Sequence, residues 1–137
     1  MRKRVGLFLG LCVILAASGC GGGGSTGGPI VGDAARGKAL YNQATLGKKS
    51  AEGCASCHKY DESKGDQKKA PFTKGTYARA ATRVPGMSAD EYVKESILHP
   101  DAFVVENFKK GDMYQKWAQD LSEQEIADLI AYLQTEK

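Results

Sequence analysis

Two cysteines and a histidine lie within five residues near the middle of the chain, in the order Cys54-Ala55-Ser56-Cys57-His58. Two thiols at this spacing can each add to one vinyl group of a haem, and the adjacent imidazole can reach the iron. A haem attached here would fill much of the interior of a small chain, so the remaining residues must fold around it. The motif therefore predicts one covalently bound haem c, held by Cys54, Cys57 and His58.

The beginning of the chain has the pattern of a secretory signal peptide. The basic residues Arg2 to Arg4 precede an apolar run from Val5 to Ala17 that ends in small residues. The run is too short to span a bilayer, which takes about 20 apolar residues. We therefore predict that residues 1–19 are removed during export and take no part in the fold.

The residues at the expected cleavage point, Ala17-Ser18-Gly19-Cys20, resemble the lipobox of bacterial lipoproteins. The resemblance implies that Cys20 receives diacylglycerol and anchors the chain to a membrane, facing the periplasm or the cell exterior. The chain has Ala17 where a lipobox usually has leucine. Ordinary cleavage nearby is the alternative, and it would leave Cys20 as a free thiol in an oxidising compartment.

A flexible linker is predicted to follow Cys20. Residues 21–28 are only glycine, serine and threonine, which cannot bury apolar surface. We expect residues 20–32 to form the lipid-anchored cysteine and a Gly-rich tether with a reach of roughly 20 Å. Residues 33–137 then form a single small domain, to which a large buried cofactor would add stability.

The charge of the chain bears on its partners. Residues 1–19 hold three of the 19 basic side chains and none of the 16 acidic ones, so the remainder is formally neutral. Balanced charge without a recognition motif predicts no nucleic-acid partner. The charges are unevenly distributed, because residues 20–83 hold 11 basic and 5 acidic side chains, whereas residues 84–137 hold 5 and 11.

The first helix is predicted to begin with Asp33 as its N-cap and to run toward residue 46. Gly37 interrupts it at a cost of about 1 kcal/mol relative to alanine, which indicates that another backbone comes close.

Two further helices are predicted to begin at capping boxes, at residues 88–91 and 122–125. The first of them should stop at Pro100, and the second carries an apolar stripe at helical spacing. Residues 59–86 show no sustained apolar period and predict mostly loop. Because no strand pattern or repeat stands out, we predict an all-α fold of three to five short helices with long loops wrapped around one haem.

A Cys-x-x-Cys pair also occurs in thioredoxin-like dithiols and in zinc sites. The dithiol would need a surrounding βαβ pattern, which the sequence does not show. Structural zinc needs four nitrogen or sulfur ligands, and the available set is Cys54, Cys57, His58 and His99. The spacing of that set does not support a zinc site, so haem is the preferred interpretation.

Three stretches of the sequence resemble the class I cytochrome c family: GKALY at residues 37–41, the motif at residues 54–58, and DLIAYL at residues 128–133. The resemblance extends over residues 33–137 and implies the cytochrome c fold.

The resemblance also implies particular contacts. Gly37 and Tyr41 are expected to pack against the last helix, near Leu129 and Tyr132. The backbone carbonyl of Pro71 is expected to accept a hydrogen bond from the ring of His58 and so to orient it.

The second axial ligand of the iron must come from elsewhere, and the candidates are Met87, Met113 and His99. Class I cytochromes c place the distal methionine in a loop shortly before the final helix, so the resemblance implies that Met113 is the ligand. Met87 then packs, and His99, next to Pro100, lies at a helix end. The family usually has proline after this methionine, where this chain has Tyr114. Ligation by His99 stays open as an alternative.

If His58 and Met113 both bind the iron, no coordination position is left for a substrate. The sequence therefore predicts an electron carrier rather than an enzyme, with no small-molecule substrate. Two other functions stay open. A haem-based gas or redox sensor would need Met113 to leave the iron, and a peroxidase would need a second attachment motif, whereas the chain has one.

Residues 92–105 resemble the cytochrome c domains that are fused to or work beside terminal oxidases, and the monohaem subunit of alternative complex III. The resemblance implies that electrons pass from a quinol-oxidising complex to a terminal oxidase or a photosynthetic reaction centre. Residues 67–83 contain no acidic side chain and would either steer acidic partners or form a solvated loop; their cations are Lys68, Lys69, Lys74, Arg79 and Arg83.

Overall fold

The computed structural model describes residues 28–137. The predicted signal peptide, the predicted lipid on Cys20 and most of the predicted linker lie outside the described residues. Within residues 28–137, no helix has both the length and the apolar character needed to cross a bilayer.

Helices dominate the described chain. The helices are α1 (Ala34–Tyr41), α2 (Cys54–Cys57), α3 (Thr76–Arg83), α4 (Ala89–Leu98), α5 (Trp117–Asp120) and α6 (Glu123–Thr135). The prediction of an all-α fold is confirmed. The count of six exceeds the three to five expected because α2 and α5 are single turns, too short to produce an apolar period.

A two-stranded antiparallel hairpin, which the sequence did not predict, lies between α1 and α2. Strand β1 (Thr45–Leu46) pairs with β2 (Ala51–Glu52), with Leu46 opposite Ala51. The expectation that the first helix reaches residue 46 is therefore wrong. The helix ends at Tyr41, because the side-chain amide of Asn42 donates to the Lys38 carbonyl at 2.8 Å and caps the last turn.

Helix α1 packs closely against α6 at Gly37. A Cβ atom at this position would lie 2.8 Å from the Cβ of Tyr132 and would overlap the backbone carbonyl of Asp128. The prediction that another backbone approaches Gly37 is confirmed. One turn later, the ring of Tyr41 contacts that of Tyr132, with centroids 5.1 Å apart.

Asp128 fastens the beginning of α1 to α6. Its carboxylate is buried and accepts hydrogen bonds from the Arg36 guanidinium (2.8 and 3.0 Å), the Asp33 backbone N–H (2.7 Å) and the Gln124 amide (2.9 Å). Burial by itself raises the pKa of Asp128, but these donors, Arg36 foremost, outweigh it and hold the pKa below its usual value.

The prediction that residues 59–86 are mostly loop is wrong for their C-terminal part, where α3 forms. Its one buried residue is Ala80, which is fully enclosed against α4 and α6. Tyr77, Ala80 and Val84 follow helical spacing, but this run is short and the residues around it are rich in lysine, glycine and proline, which favoured a loop. The earlier part of this stretch contains only a single 3₁₀ turn, Glu62–Lys64.

The two predicted capping boxes are confirmed. In α4 the Ser88 hydroxyl accepts from the Glu91 backbone N–H at 3.2 Å, and the Glu91 carboxylate accepts from the Ser88 N–H at 2.8 Å. Ser122 and Glu125 make the same exchange at the start of α6. Helix α4 ends at Leu98, two residues before Pro100.

Candidate functional site

An open cleft of about 1230 Å³, counted out to its mouth, runs into the molecule between α3, α4 and α6. Its walls are mostly apolar, with Val93 and Ile97 from α4 and Leu129 and Leu133 from α6. A second opening continues it between α2 and the residues before α5. A cleft of this size and character suits a large, flat, apolar ligand.

Helix α2 places the two cysteines at this cleft. Cys54 borders both openings and Cys57 borders the second. The cysteines are three residues apart in a helical turn, so their thiols lie on neighbouring positions of one face. Gly53 precedes them in close contact with the hairpin: its N–H donates to the Ala44 carbonyl at 2.9 Å, and a Cβ atom there would overlap the Gln43 carbonyl.

His58 follows α2 directly, and its ring also lines the cleft. The ring Nδ1 lies 2.9 Å from the carbonyl oxygen of Pro71. Because a carbonyl can only accept, Nδ1 carries the proton, and Nε2 is left with a lone pair for a metal. Burial lowers the pKa of His58, which favours the neutral imidazole that a metal requires. The resemblance implied this contact with Pro71, and the structure has it.

A second hydrogen bond fixes the backbone of His58. The Tyr41 hydroxyl donates to the His58 carbonyl oxygen at 2.9 Å. Burial, the main cause, raises the pKa of Tyr41, so its hydroxyl keeps its proton throughout the neutral range. The sequence suggested only a packing role for Tyr41, since nothing in the local pattern points to a contact with residue 58.

Met113 shares the cleft with His58 and borders both openings. The other two candidates for the distal position do not line it. Met87 packs on the apolar core. His99 is exposed at the end of α4, where its backbone N–H donates to the Glu95 carbonyl. Only Met113 of the three is therefore placed to face a ligand bound by His58.

The zinc alternative lacks a ligand set. Within residues 28–137, no group of three or more histidine, cysteine, aspartate or glutamate side chains is arranged to hold a metal ion. His99 is not among the residues that border the cleft, although Cys54, Cys57 and His58 are.

The five cations of residues 67–83 do not form one free surface. Lys68 pairs with Asp66 at 3.1 Å, and Lys74 pairs with Asp61 at 3.2 Å. The other three, Lys69, Arg79 and Arg83, border the cleft.

Arg79 and Arg83 bring positive charge to a mostly apolar cleft. Neither forms an ion pair with a carboxylate of residues 28–137. Burial and the neighbouring charge of Arg83 lower the pKa of Arg79. The Arg79 guanidinium donates to the Phe72 carbonyl at 2.8 Å, so it also braces the segment that carries Pro71.

Fold and site together define a small helical protein with a mostly apolar cleft beside a haem-attachment motif. The family model described as Cytochrome c matches residues 34–137. The chain therefore belongs to the cytochrome c family, which confirms the resemblance noted in the sequence. No curated protein matches the chain.

Membership of the family identifies the cofactor as covalently bound haem c, and the spacing of Cys54 and Cys57 is that of its attachment motif. The apolar cleft, the two thiols and an imidazole with a free nitrogen all fit this group. The protein is accordingly a haem-based electron carrier whose partners are redox proteins.

Proposed function

We propose that this cytochrome is a membrane-tethered monohaem carrier that passes single electrons from a quinol-oxidising complex to a terminal oxidase or a photosynthetic reaction centre. The observation that carries the proposal is the placement of His58 and Met113 on one apolar cleft beside a single attachment motif. Two axial ligands leave the iron no position for a substrate, which favours electron transfer over catalysis.

In this proposal Cys54 and Cys57 hold the haem through thioether bonds, and His58 and Met113 are its axial ligands. The bound haem supplies a one-electron couple at its iron, whose potential depends on the ligands and on burial. The protein's own residues determine both the ligands of the iron and the burial of the haem. Pro71 fixes the direction of the His58 ring, Tyr41 fixes the backbone behind it, and the apolar walls keep water away from the site.

Arg79 and Arg83 suit the carboxylate side chains that every haem carries. Arg79 is exposed and Arg83 is half-buried where they border the cleft, so an anion bound there would be attracted to both. The haem carboxylates would neutralise them without drawing on the protein's own acids. Lys69 and Arg79 are both exposed and border the cleft, but Arg79 donates to the Phe72 carbonyl, whereas Lys69 makes no ion pair or side-chain hydrogen bond within residues 28–137. Lys69 is therefore the better placed of the two for an acidic partner.

The membrane tether rests on the lipobox-like sequence at Cys20 and on the Gly-rich residues after it. The first described residues support an attachment that leaves the cleft open. Gly32 lies against Ala127 and Ala131 of α6, whereas Leu129 and Leu133 of the same helix line the cleft. At helical spacing these two pairs lie on opposite faces, so the linker joins the domain on the side of α6 away from the cleft.

A direct test compares the native protein with the variant Cys20→Ala in membranes that contain a quinol-oxidising complex and a terminal oxidase. We expect the variant to appear in the soluble fraction with an unchanged haem spectrum. When equal amounts of the two proteins are assayed with such membranes without a wash, quinol-driven haem reduction should be at least tenfold slower for the variant, because the high local concentration of a tethered domain is lost. A variant that stays in the membrane fraction would contradict the lipid anchor. Native protein that quinol does not reduce in such membranes would contradict the assigned electron donor.

A further inference from the structure

The segment that carries Met113 has no helix or strand of its own. It runs from His99 to Lys116, between α4 and α5, and it holds Tyr114 where proline usually follows the distal methionine. Proline would restrict the backbone at this point. Without it, the position of Met113 has to be set by contacts with the rest of the fold.

The strongest of these contacts joins Tyr114 to Asp120. The Tyr114 hydroxyl donates to the Asp120 carboxylate at 2.6 Å, and its ring lies edge-on to Trp117 with centroids 4.7 Å apart. Trp117 and Asp120 are both buried in α5. A hydrogen bond to a buried carboxylate is stronger than one between exposed neutral groups.

Asp120 is itself firmly held. Its carbonyl oxygen accepts from the Lys48 backbone N–H at 3.2 Å, and its Cβ lies beside Gly47, where an added Cβ atom would come within 3.0 Å. The hairpin turn therefore holds α5 in place, and Tyr114 is attached to a part of the molecule that cannot easily follow it outward.

A second, weaker attachment lies on the other side of Met113. The Asp101 carboxylate accepts from the Gly111 N–H at 2.9 Å and from the Gln115 amide at 3.3 Å, and the same amide donates to the Met113 carbonyl at 2.8 Å. These bonds are exposed, so water competes for them.

We propose that Tyr114 and Asp120 are positioning residues that hold Met113 over the cleft and keep its thioether on the haem iron against competing ligands. The inference rests on the proposed function, because it takes Met113 as the distal ligand. Movement of Met113 away from the iron would break the bond to Asp120 and leave a buried carboxylate without its partner, which disfavours the open state. The Tyr114 hydroxyl thus restrains the segment of Met113 in place of the usual proline.

The test measures how tightly imidazole binds the ferric holoprotein, followed through loss of the far-red sulfur-to-iron absorption band. Imidazole binds only when Met113 has left, so its apparent Kd is inversely proportional to the population of the open state. We expect Tyr114→Phe to bind imidazole about tenfold more tightly than the native protein, as loss of one strong hydrogen bond from the closed state implies.

The matched control is Tyr77→Phe. Tyr77 also donates its hydroxyl to a carboxylate, that of Asp90, but it does not border the cleft. This variant should be less stable to denaturant while its imidazole affinity stays at the native value. Asp120→Asn keeps an acceptor of the same shape but removes the charge, so it should tighten imidazole binding by a smaller factor, and it serves as the test should Tyr114→Phe fail to load haem.

The possible results distinguish a failure of this inference from a failure of the proposed function on which it rests. A native protein with the far-red band, together with imidazole affinity that is unchanged in Tyr114→Phe and Asp120→Asn, would overturn the positioning role and leave Met113 as the ligand. A native protein without the band would overturn the assignment of Met113, and the positioning role with it.

Discussion

At the scale of single residues, the site depends on polar groups whose partners come from distant parts of the chain. His58 is held at its ring by Pro71 and at its carbonyl by Tyr41. Asp128 links distant parts of the chain in a similar way. Its carboxylate accepts hydrogen bonds from Asp33 and Arg36, which lie more than 90 positions earlier in the sequence. Each of these groups is satisfied, so removal of one partner costs more than the bond itself contributes.

Replacement of Asp128 by asparagine tests this at a buried carboxylate. Its pKa lies below the usual Asp value when folded, so the carboxylate stabilises the protein above pH 3.8, the ordinary value, and that contribution is lost as the pH falls through the lower folded pKa. We expect Asp128→Asn to lower the free energy of unfolding by about 1–3 kcal/mol at pH 7. The difference in the free energy of unfolding between the variant and the native protein should become smaller as the solution is made acidic.

Urea unfolding of the holoprotein across this pH range measures the effect. Glu106→Gln is the control, because Glu106 is exposed and makes no ion pair within residues 28–137. A native-like stability of Asp128→Asn at pH 7 would show that the Arg36 contact contributes nothing.

At the scale of elements, the packing of α1 on α6 forms the frame behind the cleft. The two helices meet at Gly37, where there is no room for a side chain. This contact brings Tyr41 of α1 to the back of His58 and leaves the adjacent face of α6, with Leu129 and Leu133, to line the cleft. A change at Gly37 should therefore disturb both the stability of the fold and the support that Tyr41 gives to His58.

We expect Gly37→Ala to destabilise the holoprotein by about 1–3 kcal/mol, even though alanine is the better helix former, because the added methyl group meets backbone that cannot move aside. Thermal or denaturant unfolding checks the value. Ala39→Ser, on the exposed side of the same helix, should change stability by no more than about 0.5 kcal/mol. If the unfolding midpoint of Gly37→Ala equals or exceeds that of the native protein, the close approach of α1 and α6 at Gly37 is contradicted.

The elements also show how far the sequence could predict the fold. The starts of α4 and α6 follow from local capping boxes, and the sequence located both. Helix α3 is short and is surrounded by residues rich in lysine, glycine and proline, and α1 ends at an asparagine cap before the hairpin, so the sequence pattern located neither the helix nor that end. Within the site, the attachment motif is local and was recognised. The bonds of Tyr114 and Tyr41 depend on where α5 and α1 come to lie, and no sequence pattern encodes that.

At the scale of the whole molecule, the parts combine into a mostly apolar cleft that is bordered by the attachment motif and by Met113. Helix α6 separates the cleft from the point where the linker joins, so a tether would leave the cleft accessible to redox partners. In our proposal the hydrogen bond from Tyr114 to Asp120 holds the segment of Met113 in place without a proline. This argues against a gas sensor, which needs a distal ligand that leaves readily.

The central claim is that His58 and Met113 are the two axial ligands of the haem iron in this cytochrome, which leaves no coordination position open. The measurement is the absorption spectrum of the ferric holoprotein in the far red, for the native chain, Met113→Ala and His99→Ala. We predict that the sulfur-to-iron band is present in the native protein, is lost in Met113→Ala and is retained in His99→Ala. A band that survives in Met113→Ala, or a native protein that lacks it, would contradict the claim and return the distal position to His99 or to an open sensor site.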